Sequence, residues 1–194
     1  MPDGKTCGAG CGYLGANGVE LASTYFHVLY RGVKNNDQYD QVVFYEFGRN
    51  FWSYGDQLGK LDPFVTGFAI VNRFISIDRA GLKGGPFRKL TYLEFKRSIL
   101  VDLLNSYLAT PELNWQNTLL IGKAPPNPNN WSASDLAAGM FYRIYSDFGW
   151  EGYKAFWKAM RQLPKANTPA DAVSNFLSAA ITATGRDYDF LFKR

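Results

Sequence analysis

The sequence predicts a mostly α-helical protein, with about seven helices in one compact domain and little or no sheet. Three observations support this fold class. Apolar residues recur at helical spacing along most of the chain, Pro and Gly residues separate these periodic segments, and no alternating run is long enough to predict a strand. The 194 residues are 46% hydrophobic and 16% aromatic, so the chain can build a large core.

The N-terminal part differs in composition from the rest. Residues 1–18 are rich in glycine and lack a helical period, so we expect a coil that leads into a single helical domain over residues 19–194. Cys7 and Cys11 in this lead-in are candidates for a local disulfide. A metal half-site would need a second pair of ligands, and a redox pair usually has two intervening residues. A local disulfide favours a secreted or extracellular protein.

Periodicity and capping signals place the helices in order. The first is expected to begin at Val19 and to end near Gly32, and Pro63 suits the first turn of the third. The last is the best specified, with Thr168 as N-cap and Gly185 at its C-terminal end. The expected helices span residues 19–32, 39–51, 63–77, 91–108, 132–146, 150–163 and 168–185. The Pro- and Asn-rich loop at 122–131 is a possible boundary between two lobes of the domain.

Charge and hydropathy exclude two classes of partner. The net charge is +4, but the basic residues are scattered among acidic ones without a Lys/Arg run, so we expect no nucleic-acid surface. No stretch of about 18 apolar residues is present, so we expect no transmembrane helix.

The sequence also gives no support for a Ser/His/Asp catalytic set. His27 is the single histidine, and no nucleophile elbow is present. The sequence specifies no oligomeric state.

Two segments carry a resemblance to a known family. The stretch Phe44-Tyr-Glu-Phe-Gly-Arg-Asn-Phe-Trp52 resembles the His-Glu-x-Gly-His-Asn-x-Trp helix of gluzincin-type metallopeptidases, particularly the enhancin-like, mucin-degrading group. Phe148-Gly-Trp-Glu-Gly-Tyr-Lys-Ala-Phe156, followed by segments 175–180 and 185–187, is similar to the helical C-terminal part of such domains. The resemblance covers about half of the chain and implies the fold of a gluzincin-like helical lobe.

The chain departs from that family at the metal ligands. In the working motif two histidines at i and i+4 bind zinc, and the intervening Glu activates the bound water. Here those two positions are Tyr45 and Arg49, and only Glu46 is retained. The third gluzincin ligand is a Glu on the next helix, but residues 63–77 contain none. The resemblance therefore implies a metal-free, catalytically inactive relative, and we expect no metal site and no cofactor.

Glu46 and Arg49 are the centre of the predicted site. They stand at i and i+3 on one helix, and Arg73 on the following helix can reach the same place if the two helices pack together. Two arginines beside one carboxylate would keep it ionised and would suit an anionic group of a ligand. Aromatic rings stack on sugar faces and on peptide side chains. Several aromatic residues are candidates to line such a cleft, and Tyr45, Trp52 and Tyr142 are selected from a set that also includes Tyr54, Tyr145 and Trp150.

Three functions are compatible with these residues. The first is binding of a glycan, glycopeptide or peptide in the former active-site cleft of a metal-free relative of the peptidases. The second is a structural or protein-interaction domain, in which Glu46 and Arg49 form an ion pair that replaced the metal. The third is a non-metal enzyme with Glu46 as its acid or base and Arg49 or Arg73 as the holder of an anionic substrate. We rank binding first and catalysis last.

Overall fold

The computed structural model describes residues 7–193, so the first six residues of the predicted lead-in and Arg194 lie outside the described part. Helices dominate it, which confirms the predicted fold class. The elements in chain order are β1 (Gly10–Gly12), β2 (Val19–Leu21), α1 (Ser23–Asn36), α2 (Gln41–Asn50), α3 (Gly55–Leu58), α4 (Pro63–Arg79), α5 (Tyr92–Arg97), a π-helical turn (Ser98–Asp102), α6 (Leu103–Ala109), α7 (Ala133–Met160), α8 (Pro169–Thr184) and a 3₁₀ turn (Asp189–Leu191).

The N-terminal region forms a small hairpin instead of a coil followed directly by a helix. β1 and β2 pair antiparallel, with Gly10 opposite Leu21 and Gly12 opposite Val19. The predicted start of the first helix at Val19 is therefore wrong, because this segment uses its backbone groups in the hairpin and α1 begins at Ser23. Segment 19–21 is too short for periodicity to distinguish strand from helix.

The first helix also runs further than predicted. α1 passes through Gly32 and ends at Asn36, where Asp37 adopts a left-handed conformation with a φ of 50°. The backbone N–H of Asp37 donates to the carbonyl of Val33, which closes the helix end. A glycine inside a helix costs only about 1 kcal/mol, so Gly32 did not have to end it.

The other predicted helices agree closely with the structure, whereas the four-residue helix α3 (Gly55–Leu58) was not predicted. α4 begins at Pro63, and the predicted helix 91–108 is the continuous run of α5, the π-helical turn and α6. α8 has Thr168 in a capping box with Asp171, and Gly185 ends it with a φ of 70°. The helices predicted at 132–146 and 150–163 are the two parts of α7, which has a non-helical residue at Gly149 (φ 67°, ψ −166°).

The chain divides into two compact units, each with its own contacts. The first unit contains the described residues up to Ser53 together with Phe68–Arg97, and the second contains Tyr54–Gly67 and the residues from Ser98 onward. In the first unit Phe74 packs edge-to-face on Phe95, with ring centroids 5.0 Å apart. In the second unit five fully buried phenylalanines form one aromatic cluster. They are Phe64, Phe141, Phe156, Phe176 and Phe192.

None of the helices in residues 7–193 combines the length and the apolar character needed to cross a bilayer. The longest helix, α7, shows why: it carries charged residues at intervals, among them Arg143, Asp147 and Lys154.

Candidate functional site

Helix α2 presents Glu46 to the N-terminal hairpin. The helix starts at Gln41, because the side chain of Asp40 accepts a hydrogen bond from the backbone N–H of Val42 (2.8 Å) as its N-cap. Glu46 follows one turn later and is only 7% exposed. Its Oε2 accepts a hydrogen bond of 2.7 Å from the backbone N–H of Gly12 in β1. One buried carboxylate thus joins the hairpin to the helix.

The glycines of β1 make this close approach possible. A Cβ atom on Gly12 would lie 2.1 Å from the carbonyl oxygen of Glu46, and one on Gly10 would lie 3.1 Å from the Glu46 Cγ. The two glycines are at i and i+2, so they face the same side of the strand. Only glycine fits both positions without moving the hairpin away from α2.

Beside this contact lies the Glu46 cavity, with a volume of about 370 Å³. Its walls come from the hairpin on one side and from α2 on the other. The lining residues are Cys7, residues 10–14, Tyr45, Glu46 and Arg49. Cys7 and Cys11 are joined by a disulfide, which fixes the start of the hairpin at the cavity wall. The three neighbouring side chains of α2 that the sequence singled out therefore share one cavity.

Electrostatics at Glu46 are set by opposing causes. Burial raises the pKa of this carboxyl above its ordinary value, and the hydrogen bond from Gly12 and the positive charge of Arg49 partly offset that rise. Such a carboxyl can accept hydrogen bonds from a ligand, and it takes up a proton more readily than an exposed glutamate. The arginine beside it supplies planar donors for a ligand acceptor.

Arg73 does not line the Glu46 cavity, although its guanidinium lies 5.8 Å from the ring centroid of Tyr45, which does. It is buried, and its Nη1 donates a hydrogen bond of 2.7 Å to the side-chain oxygen of Gln41. Its guanidinium also lies over the rings of Phe74 and Phe95 in a cation–π contact, 4.7 Å from each ring centroid. The two arginines of the prediction are thus not brought together around one carboxylate.

The three predicted aromatic residues have different surroundings. Tyr45 lines the Glu46 cavity, whereas Trp52 is buried against Phe68 with ring centroids 5.3 Å apart. Tyr142 belongs to the second unit, where it stacks on Tyr145 at 5.7 Å.

The residues shared with the peptidase motif have packing roles. Asn50 donates from its side-chain nitrogen to the backbone oxygens of Tyr13 and Gly18, both at 2.8 Å, and so fixes the hairpin loop. Gly48 allows α4 to approach, because a Cβ there would lie 2.7 Å from the Cα of Ala69. The side chains of Glu46 and Asn50 thus hold the hairpin against α2, and the absence of a side chain at Gly48 allows α4 to pack on it.

Sequence reasoning missed the hairpin side of the cavity. Gly12 supplies the N–H donor for Glu46, and Tyr13 is a half-exposed aromatic residue at the cavity. The alternating glycines at 8, 10 and 12 were the available signal, because small residues at every second position are typical of a strand that packs closely on another element. In the described residues 7–193, no group of three or more His, Cys, Asp or Glu side chains is placed to hold a metal ion.

Comparison of the chain with protein-family models, with curated proteins and with solved structures finds no match. The likeness to gluzincin-type peptidases therefore depends on the residues of α2 and of the C-terminal helices alone, and it stays a prediction.

Proposed function

We propose that this protein is a binding domain that takes a glycan, glycopeptide or peptide in the Glu46 cavity. The observation that carries the proposal is that Glu46 and Arg49 line one cavity together with Tyr13 and Tyr45. A carboxylate and a guanidinium side by side offer acceptors and donors to sugar hydroxyls or peptide groups, and the tyrosine rings offer faces for stacking. A metal-free relative of the peptidases would keep such a cleft after losing its ligands.

A binding screen with matched variants tests the proposal. The protein is screened on a glycan array and against mucin-type glycopeptides and their unglycosylated peptides, and hits are measured by calorimetry. Arg49→Met is expected to weaken the best hit by about tenfold or more, because a charge-assisted hydrogen bond is lost. Arg31→Met is the control, since Arg31 lies on α1 and bonds to the backbone oxygen of His27. Absence of any binding, or equal binding by both variants, would contradict the proposal.

A structural domain is the second candidate, and one observation favours it. Glu46, Gly48 and Asn50 each hold the hairpin or α4 in place, so their retention needs no ligand. On this alternative Glu46→Ala lowers the free energy of unfolding while the screen finds no ligand. If the binding proposal holds, Glu46→Gln lowers the affinity for the ligand. The fold stays intact, because glutamine keeps an acceptor for the Gly12 N–H.

A non-metal enzyme is the third candidate, favoured by the raised pKa of Glu46. A carboxyl that protonates more readily than usual suits a general acid. Arg49 alone would then hold the anionic substrate, because Arg73 bonds to Gln41 outside the cavity. Turnover of any glycan or peptide hit, lost in Glu46→Gln, would support catalysis, and an unchanged ligand after prolonged incubation would oppose it.

A further inference from the structure

The first unit contains a second cavity that shares no lining residue with the Glu46 cavity. This Lys83 groove has a volume of about 730 Å³, within the range of roughly 300–1,000 Å³ that is typical of small-molecule sites. Its apolar walls include Leu82, Pro86 and Leu93, and its polar groups include Asp78 and Lys83. Leu93 is 72% exposed, so a ligand in the groove would cover an apolar side chain that otherwise faces water.

The backbone around the groove is fixed without a ligand. The N–H of Tyr39 donates to the carbonyl of Lys83, and the N–H of Gly85 donates to the carbonyl of Tyr39, both at 2.9 Å. Between them, Gly84 lies so close to the ring of Tyr92 that a Cβ would be 2.2 Å from it. The loop that carries Lys83 is therefore fixed by its hydrogen bonds with Tyr39 and by its contact with Tyr92, as expected for a largely pre-formed site.

The charges in the groove favour an anion. Asp78 accepts a hydrogen bond of 2.8 Å from the hydroxyl of Tyr92 and forms an ion pair with Lys96, so its negative charge is compensated within the protein. Lys83 donates one long hydrogen bond, 3.5 Å, to the carbonyl of Asn36. An ammonium has three N–H donors, so Lys83 can also bind a ligand acceptor.

We propose that the Lys83 groove binds a small amphiphile with an apolar body and one anionic group, such as a carboxylate. The apolar body lies along Leu82, Pro86 and Leu93, and the anionic group contacts the Lys83 ammonium. This site is independent of the Glu46 cavity and of the function proposed for it.

Calorimetry with three probes of one chain length tests the proposal. The probes are decanoate and decyltrimethylammonium, each below its critical micelle concentration, and decanol below its solubility limit. Decanoate is expected to bind at one site and more tightly than decanol, and the cation is expected to bind weakest. Lys83→Met should weaken the binding of decanoate by about three- to fivefold, a modest effect because an exposed ion pair contributes little. The affinity for decanol should be unchanged. Lys89→Met is the matched control, because Lys89 is an exposed lysine of the same loop that does not line the groove.

A second variant tests the apolar wall. Leu93→Ser is expected to weaken the binding of decanoate and of decanol by the same factor. The protein should stay folded, because the Leu93 side chain is exposed. Amide shifts in NMR spectra should change at residues 82–93 when decanoate is added. Equal or tighter binding of decyltrimethylammonium, equal weakening by Lys83→Met and Lys89→Met, or no saturable binding of any probe would each overturn the proposal.

Discussion

Helix α8 in the second unit and helix α1 in the first differ in how they use phenylalanine. In the second unit Phe176 is fully buried, and its ring contacts four other phenylalanines with centroids 5.1–5.8 Å away. In the first unit α1 has no buried residue, although it carries a regular apolar stripe. Phe26 on this stripe is 54% exposed. The same residue type therefore packs in a core from α8 and faces water from α1, although the first unit has its own buried pair in Phe74 and Phe95.

This difference separates stability from the candidate sites. The Glu46 cavity and the Lys83 groove both lie in the first unit. A cavity of about 520 Å³ also forms in the second unit. The contrast in stability between the units therefore depends on the buried phenylalanine cluster of the second unit and on the unburied face of α1 in the first. We expect the second unit to contribute most of the unfolding free energy, and the first unit to tolerate more change outside its close backbone contacts.

The largest expected effect comes from making one substitution in both units. Phe176→Ala should lower the free energy of unfolding by about 3–5 kcal/mol, because it leaves a cavity among packed rings. Phe26→Ala should change it by less than about 0.5 kcal/mol, since that ring is largely in water. Urea denaturation followed by circular dichroism measures both. Similar losses from the two variants would break the comparison.

The next effect tests the close contact at the hairpin. Gly12→Ala should destabilise the protein by about 1–3 kcal/mol or more, because its Cβ would collide with the Glu46 carbonyl oxygen at 2.1 Å. Gly85→Ala is the control, since the nearest atom to its Cβ is 3.5 Å away, an ordinary contact. Thermal unfolding of the two variants makes the measurement. An unaffected Gly12→Ala protein would mean that the hairpin does not depend on this approach.

A polar cluster in the second unit gives an effect of intermediate size. Asp147 accepts hydrogen bonds from Arg143 (3.0 Å), Arg186 (2.8 Å) and the buried Tyr188 (3.0 Å). Asp147→Asn should cost about 1–2 kcal/mol, because it removes the charge from all three bonds. Glu151→Gln is the matched control, since its ion pair with Lys154 is exposed and should contribute below about 1 kcal/mol. Equal losses would show that the cluster adds nothing beyond a surface pair.

The smallest effect is a pH dependence that originates at Glu46. Burial raises the pKa of this carboxyl in the folded protein above its value in the unfolded chain. This raised pKa stabilises the folded protein fully when the pH is below the pKa that Glu46 has in the unfolded chain. The stabilisation is lost as the pH rises through the pKa that Glu46 has in the folded protein. In the wild type, the unfolding free energy should therefore fall with rising pH just above the ordinary pKa range of glutamate. Glu46→Gln should make this fall smaller, because glutamine does not titrate. Denaturation curves across that range compare the variant with the wild type, and parallel pH profiles would contradict the raised pKa.

The sequence predicted the parts of the site whose residues are close together in the chain, and not the parts that join distant segments. Glu46, Arg49 and Tyr45 share a cavity because helical spacing places them on neighbouring positions of one short helix. The expected convergence of Arg73 required a particular rotation of α4, which no spacing within a helix fixes. The buried guanidinium instead bonds to Gln41 and lies over the rings of Phe74 and Phe95.

The sequence by itself determined the helices whose ends carry local signals. Pro63 begins α4, and the Thr168 capping box and Gly185 bound α8, because caps are interactions among residues four or fewer positions apart. Only the tertiary structure decided that Val19–Leu21 is a strand, that Gly10 and Gly12 lie against Glu46, and that the Glu46 cavity and the Lys83 groove form in the first unit. Those outcomes depend on contacts between distant segments, where packing and hydrogen bonding override the weak local preferences of short stretches.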